Sequence, residues 1–272
     1  MKLGLGSYAY AWAIGVPGYP PAGKRMDAFG LVRRAAQLGV HLVQIDDNIP
    51  LHIEPDLDAL LEETRLLEVD VEVGTRGIGH EHLRAYMQIA RQFHSPILRI
   101  MVDTREHQPQ PEEIVETLRE LAPEFERENR VLAIENPDRM KARTLAEIIE
   151  QIGSSQVGVC LDVLNALAAL EGPDVTVETL GPYVVNLHVK DFAVRRANHG
   201  MGLALEGRPA GKGILDVRWL LERLHGFGRE FNAIIELWPP LEASIEQTIR
   251  TEDRWAAESV AYMQTLILET GG

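Results

Sequence analysis

Short apolar runs alternate with longer amphipathic stretches along the chain. The apolar runs are rich in Val, Ile and Leu. They predict buried parallel strands over Leu3–Tyr8, Leu42–Asp46, Val69–Thr75, Ile97–Val102, Val131–Glu135, Val157–Asp162, Val184–Val189 and Ala233–Leu237. Between them the spacing predicts helices over Asp27–Leu38, Asp56–Leu67, His80–Phe93, Pro111–Glu128, Thr144–Ile152, Asp216–Leu224 and Ile245–Leu268. Gly39 is a C-terminal cap signal, and Pro111 followed by two glutamates is a helix start on both backbone and dipole grounds. After Asp162 the pattern breaks into two short helical pieces, Ala166–Leu170 and Val175–Leu180.

Strict strand–helix alternation gives a parallel sheet, and about eight such units in 272 residues predict one closed (β/α)8 TIM barrel, an α/β fold with a single domain over residues 1–272. No GxGxxG follows the first strand, because Gly4-Leu5-Gly6 lies inside it, which argues against a doubly wound dinucleotide-binding sheet. Two connections are long: Tyr10–Met26, with Trp12, Tyr19 and three prolines, and Phe192–Gly213. Both follow strands, so in a barrel they belong to the catalytic face and could wall a pocket.

Composition narrows the partners. Lys plus Arg number 27 against 41 Asp plus Glu, a formal net charge of −14 with no basic run, which disfavours nucleic acid. The lone cysteine, Cys160, can form no internal disulfide and fits a reducing cytoplasm. The chain shows no signal-peptide pattern and no apolar stretch of membrane-spanning length.

Barrel chemistry is delivered from the C-terminal ends of the strands. Strands five to eight end in Glu135, Asp162, His188 and Glu236. Any one of these alone is commonly a cap or an ion-pair partner. Four at one height on consecutive strands are harder to dismiss, since three carboxylates held together resist ionisation unless a cation compensates them. An oxygen-rich set with one imidazole and no cysteine ligand suits one divalent ion: Mn²⁺ first, Mg²⁺ or Co²⁺ as alternatives. Glu135 and Glu236 would double as the acid–base pair. Arg76 and Arg99 end the third and fourth strands and could hold a carboxylate by a bidentate fork. Lys190 shares the inward side of His188 by strand alternation. Asn165 follows Asp162 by three, Asn48 ends strand two beside Asp46 and Asp47, and Tyr8, Trp12 and Trp238 offer apolar faces to a sugar. Cys160 points inward one layer below Asp162 and reads as core filler.

The ordered motifs "IEN", "LDVLN", "NLHVKD", "GKGILD" and "IIELW" resemble the xylose-isomerase-like barrels. That superfamily holds sugar epimerases and isomerases, dehydratases, related lyases and the endonuclease IV type of repair enzyme. The resemblance covers nearly the whole chain, with "GLGSYAYAW" and "LVQIDDN" as weaker members. It implies that the Glu135, Asp162, His188, Glu236 quartet binds the metal, that the substrate is a small sugar or sugar acid, and that the chain could pair as a homodimer. One departure stands out: Pro137 occupies a position where many relatives carry a histidine. The leading expectation is a ketose 3-epimerase or aldose–ketose isomerase working through an enediolate, with two glutamates exchanging the proton. The alternative is a lyase on the same barrel, a decarboxylase of a 3-oxo sugar acid or a dehydratase. A nuclease would need several more strand-end histidines, whereas His80, His82 and His225 fall at helix ends. The intact quartet argues against a barrel that only binds.

Overall fold

The computed structural model describes residues 1–21 and 23–270. Residues 22, 271 and 272, which fall within the expected single domain, lie outside the described residues. Among the described residues ten strands occur, in the order β1 (Leu3–Gly6), β2 (Leu42–Ile45), β3 (Asp70–Arg76), β4 (Ile97–Met101), β5 (Val131–Glu135), β6 (Val157–Asp162), β7 (Val184–Val189), β8 (Phe192–Arg196), β9 (Leu203–Gly207) and β10 (Asn232–Ile235). Eight of them close into a parallel barrel in the order β1-β10-β7-β6-β5-β4-β3-β2. The expected eight-stranded barrel is therefore the observed one.

The main helices run Ala28–Gln37, Leu57–Leu66, His80–Gln92, Pro111–Glu128, Ala142–Ile152, Val217–Gly226 and Ile245–Thr270. Each buries its apolar face on the outside of the barrel: Leu31, Leu83, Leu118 and Leu145 are fully or almost fully covered. No helix among the described residues is long and apolar enough to cross a membrane.

Three local expectations are corrected. The first strand stops at Gly6, and Ser7–Tyr10 turns as a 3₁₀ helix. Ser7 Oγ fixes that turn across the rim by accepting the Asp46 N–H at 3.0 Å and donating to Asn48 Oδ1 at 2.5 Å. The helix after Asp162 starts at Val163 rather than Ala166, because the Asp162 carboxylate caps it by accepting the Leu164 N–H at 2.8 Å. A second short helix follows over Pro173–Leu180. The Phe192–Gly213 connection is not plain loop, since β8 and β9 pair antiparallel from Phe192↔Gly207 to Arg196↔Leu203. Gly200 and Gly202 supply positive φ angles at its tip.

Candidate metal centre and substrate cavity

Inward-facing positions recur every second residue along a strand, so each strand stacks its inward side chains in layers up to the rim. Ile97, Ala133 and Cys160 pack together in the lower interior, and two residues above them Arg99, Glu135 and Asp162 reach the C-terminal rim. His188 and Lys190 rise on β7 and its extension, and Glu236 follows β10. Gly74 has no side chain for a steric reason: a Cβ there would lie 1.8 Å from Asp46 Oδ1. Its absence lets the Asp46 carboxylate tuck against β3.

The four strand-end residues converge. Asp162, His188 and Glu236 present ligand-type atoms within 4.8 Å of one another, all buried, and Glu135, Cys160 and His188 form an overlapping group. His188 Nδ1 lies 3.4 Å from Glu236 Oε1 and 3.5 Å from Glu135 Oε2. Both His188 Nδ1 and Glu236 Oε1 are buried without a hydrogen-bond partner. The other imidazole nitrogen, Nε2, sits 2.7 Å from Gln44 Oε1, an acceptor, and so carries the proton. Nδ1 therefore points among two carboxylate oxygens, an electron-rich setting that a cation would relieve. The donor set fits a divalent metal site.

Glu135 differs from its neighbours. Arg99, buried at 2% exposure, donates to Glu135 Oε2 from Nε at 2.7 Å and also from Nη2. Asn165 Nδ2 donates to Glu135 Oε1 at 2.8 Å. Burial alone would raise the Glu135 pKa, but Arg99, His188 and Lys190 outweigh it and hold it down at about 2. Arg99 also faces Asp46 and Asp47, each at 3.5 Å. Lys190 Nζ donates to Glu236 Oε2 at 2.9 Å and lies 3.2 Å from Asp162 Oδ2. Burial would lower its pKa, yet these carboxylates raise it above the usual lysine value, so it stays an ammonium.

A cavity of about 340 Å³ opens above the cluster, bordered by Tyr8, Arg76, Arg99, Glu135, Lys190 and Glu236, with Asn165 at its edge. A wider side cavity of about 770 Å³ continues past Tyr8 and Arg76 to Asn48 and His82. Arg76 pairs with Asp47 at 3.0 Å rather than with the Asp103 carboxylate, which Arg139 grips with two bonds. Trp12 and Trp238 border neither cavity. Trp12 is anchored by donating Nε1 to Pro239 O at 3.0 Å and meets Tyr19 edge-on, while Trp238 packs on Gly207 at the base of the hairpin. Cys160 sits one layer down, donating to Asn186 Oδ1 at 3.3 Å. Burial pushes its thiol well above the ordinary range.

Sequence reasoning missed Gln44, the partner of His188, and Glu72, Asn186 and Asn232 beneath it. A signal existed, because the polar Gln44 and Glu72 sit in register on two apolar strands.

The comparisons agree with this geometry. The xylose isomerase-like TIM barrel pattern matches residues 32–266. The chain is 34% identical over 267 residues, 97% of its own length and 96% of the relative's, to a 3-oxo-isoapionate decarboxylase of Pectobacterium atrosepticum. Among solved structures, D-psicose 3-epimerase from Clostridium cellulolyticum H10 with D-tagatose superposes with a TM-score of 0.72 at 16% identity, covering 98% of this chain and 99% of that one. A barrel protein from Mycobacterium smegmatis in complex with magnesium gives 0.66 at 14% identity, covering 96% and 97%. At those identities the structures testify to the fold alone. The profile match and the full-length relative go further, and the chain belongs to the xylose isomerase-like TIM barrel family.

Proposed function

We propose that this enzyme is a divalent-metal-dependent decarboxylase of a small 3-oxo sugar acid. Full-length similarity to a 3-oxo-isoapionate decarboxylase supports that reading over an epimerase or isomerase. The observation that carries it within the site is the engagement of Glu135 by Arg99 and Asn165. Epimerisation by proton exchange needs a free base on each side of the substrate. Here neither glutamate is free: Glu135 is held by Arg99 and Asn165, and Glu236 pairs with Lys190 at 2.9 Å. Decarboxylation needs no base to start, only an electron sink and then one acid.

Asp162, His188 and Glu236 would hold the cation, with Glu135 at the edge of the set; Mn²⁺ is the proposed occupant, Mg²⁺ or Co²⁺ the alternatives. When bound, such an ion supplies Lewis-acid polarisation of a carbonyl oxygen. The chain's residues do the rest. Arg76, at the cavity wall, would orient the substrate carboxylate, while Tyr8, Asn165 and Asn48 would hold hydroxyl groups. Breaking the bond to the carboxyl carbon leaves its electron pair on the substrate as an enolate and releases CO₂. The Lys190 ammonium, on the cavity wall and hydrogen-bonded to Glu236, would give the carbon its replacement proton and be reprotonated from solvent.

The test is turnover of 3-oxo-isoapionate in deuterated buffer with added Mn²⁺. The expected result is one CO₂ released and one deuterium incorporated per turnover. Deuterium exchange beside a ketose carbonyl with epimer formation, and no CO₂ from the acid, would return the reading to an epimerase.

A further inference from the structure

Beneath the rim, one buried carboxylate governs the orientation of a candidate metal ligand. Glu72 on β3 is fully buried, and its two oxygens accept three amide N–H bonds: Oε1 from Asn232 Nδ2 at 2.7 Å, Oε2 from Asn186 Nδ2 at 2.8 Å and from Gln44 Nε2 at 3.0 Å. The same Gln44 nitrogen donates its second proton to Asn186 Oδ1 at 3.1 Å. Both amide protons of Gln44 are thus committed downward. If the amide flipped, its oxygen would face the Glu72 carboxylate and Asn186 Oδ1, an acceptor against two acceptors. The unflipped orientation aims Gln44 Oε1 at His188 Nε2, 2.7 Å away.

We infer that Glu72 is a positioning residue: through Gln44 it holds the proton of His188 on Nε2, pointing down, and so turns Nδ1 toward Glu236 and Glu135. The inference rests on the reading of His188 as a metal ligand and adds the element that prepares it. Nothing in the immediate surroundings of Nδ1 would select that tautomer, because a proton on Nδ1 would be welcomed by two carboxylates 3.4 and 3.5 Å away. An Nδ1–H imidazole would donate to them and be lost as a ligand. The tautomer is decided from below, by a chain of hydrogen bonds running from β3 through β2 to β7. Partners of this kind commonly change metal affinity by about 10- to 100-fold when removed.

The test uses histidine-labelled protein and two readouts. Imidazole nitrogen–proton correlation spectra of the metal-free protein report the His188 tautomer, and free-Mn²⁺ electron paramagnetic resonance reports affinity. In Glu72→Gln the new amide can present a donor to Gln44 and release its flip. The Nδ1–H tautomer should become visible and the Mn²⁺ dissociation constant rise about 10- to 100-fold. The double variant Gln44→Glu with Glu72→Gln restores a fixed acceptor under His188 and should recover both readouts. Asn232→Ala removes the Oε1 contact on the far side and a bond from the Lys2 N–H, and leaves Gln44 untouched; it should lower the melting temperature yet leave both readouts unchanged. Gln44→Met, which deletes the acceptor, should match Glu72→Gln and decides the matter if the latter fails to fold. The proposal is overturned if Glu72→Gln keeps the Nε2–H tautomer with Mn²⁺ affinity within about twofold of wild type, or if Asn232→Ala moves both readouts equally. Should the wild type bind no Mn²⁺, the metal reading falls by itself, and the tautomer shift still decides whether Glu72 positions His188.

Discussion

Two buried polar clusters stack inside the barrel, and they differ in how their atoms are satisfied. In the lower one, Glu72, Gln44, Asn186 and Asn232 exchange hydrogen bonds until every side-chain polar atom has a partner. In the upper one, Asp46 Oδ1 and Oδ2, His188 Nδ1 and Glu236 Oε1 are buried with none. Leaving a buried polar atom unpaired costs about 1–3 kcal/mol, and more when it is charged. Two of these atoms, His188 Nδ1 and Glu236 Oε1, belong to the group with Asp162 that a divalent cation could bridge. The lower cluster is built as structure; the upper one carries the donor set of a cation site.

The sharpest way to break that contrast is to remove the ligand or its ligands. Chelation of the metal, His188→Ala or Glu236→Gln should each lower CO₂ release by about 10³-fold or more, the loss of several kcal/mol of carbonyl polarisation. Asn232→Ala should leave kcat within about threefold, since it touches the satisfied cluster only. Steady-state kinetics on metal-reconstituted protein measures both. Retained turnover in Glu236→Gln would remove this residue from the chemistry.

Arg99 reaches the rim with Glu135 and Asp162 and balances the upper cluster, facing Glu135, Asp46 and Asp47. Arg99→Met should cost about 3–5 kcal/mol, because it leaves buried carboxylates without their counter-charge. The same substitution frees Glu135 to act as a base. If the Arg99 pair is what bars proton exchange, metal-loaded Arg99→Met should gain slow deuterium exchange beside a ketose carbonyl, read by NMR, while CO₂ release falls. No exchange in a folded, metal-loaded variant would detach the choice of reaction from this ion pair.

Adding metal should act in the opposite sense on stability. At 100 times its dissociation constant, a divalent ion that binds only the folded state adds about 2.7 kcal/mol. In a chain of this size that raises the melting temperature by about 5–10 °C. The increment should vanish in His188→Ala and persist in Asn232→Ala. A wild-type melting temperature indifferent to Mn²⁺, Mg²⁺ and Co²⁺ would contradict the reading of the upper cluster.

The contrast also explains what the chain reveals before it folds. Glu135, Asp162, His188 and Glu236 are legible because each ends an apolar run, and the barrel's periodicity gives them one height. The apolar strands themselves were legible to within a residue or two, except where Ser7 bends the first into a turn. Gln44, Glu72, Asn186 and Asn232 form a network between residues 28 to 160 positions apart; a polar residue inside an apolar run is visible in the chain, but which residues it bonds is not. Arg99 could be placed at the rim, but its direction, toward Glu135 instead of open cavity, depends on which side chain fills the space between β4 and β5. Trp12 and Trp238 fail as sugar platforms in the described cavities for a similar reason: Trp12 is tied to Pro239 and Trp238 lies against Gly207, partners distant in the sequence.

Cys160 tests the boundary between the two clusters, and its expected effect is the smallest. Its sulfur lies within reach of Glu135 and His188, as a ligand would, yet it donates to Asn186 in the satisfied layer. Burial, reinforced by the nearby Glu135 charge, pushes the thiol well above its ordinary value, so the thiolate that a metal needs is disfavoured there. Cys160→Ser keeps a donor for Asn186 and exchanges one small side chain for another. It should cost about 1 kcal/mol in unfolding free energy and leave Mn²⁺ affinity and kcat within about twofold of wild type. A tenfold loss of affinity in that variant would move Cys160 into the upper cluster, and the line between a satisfied layer and an unsatisfied one would have to be drawn beneath the sulfur instead of above it.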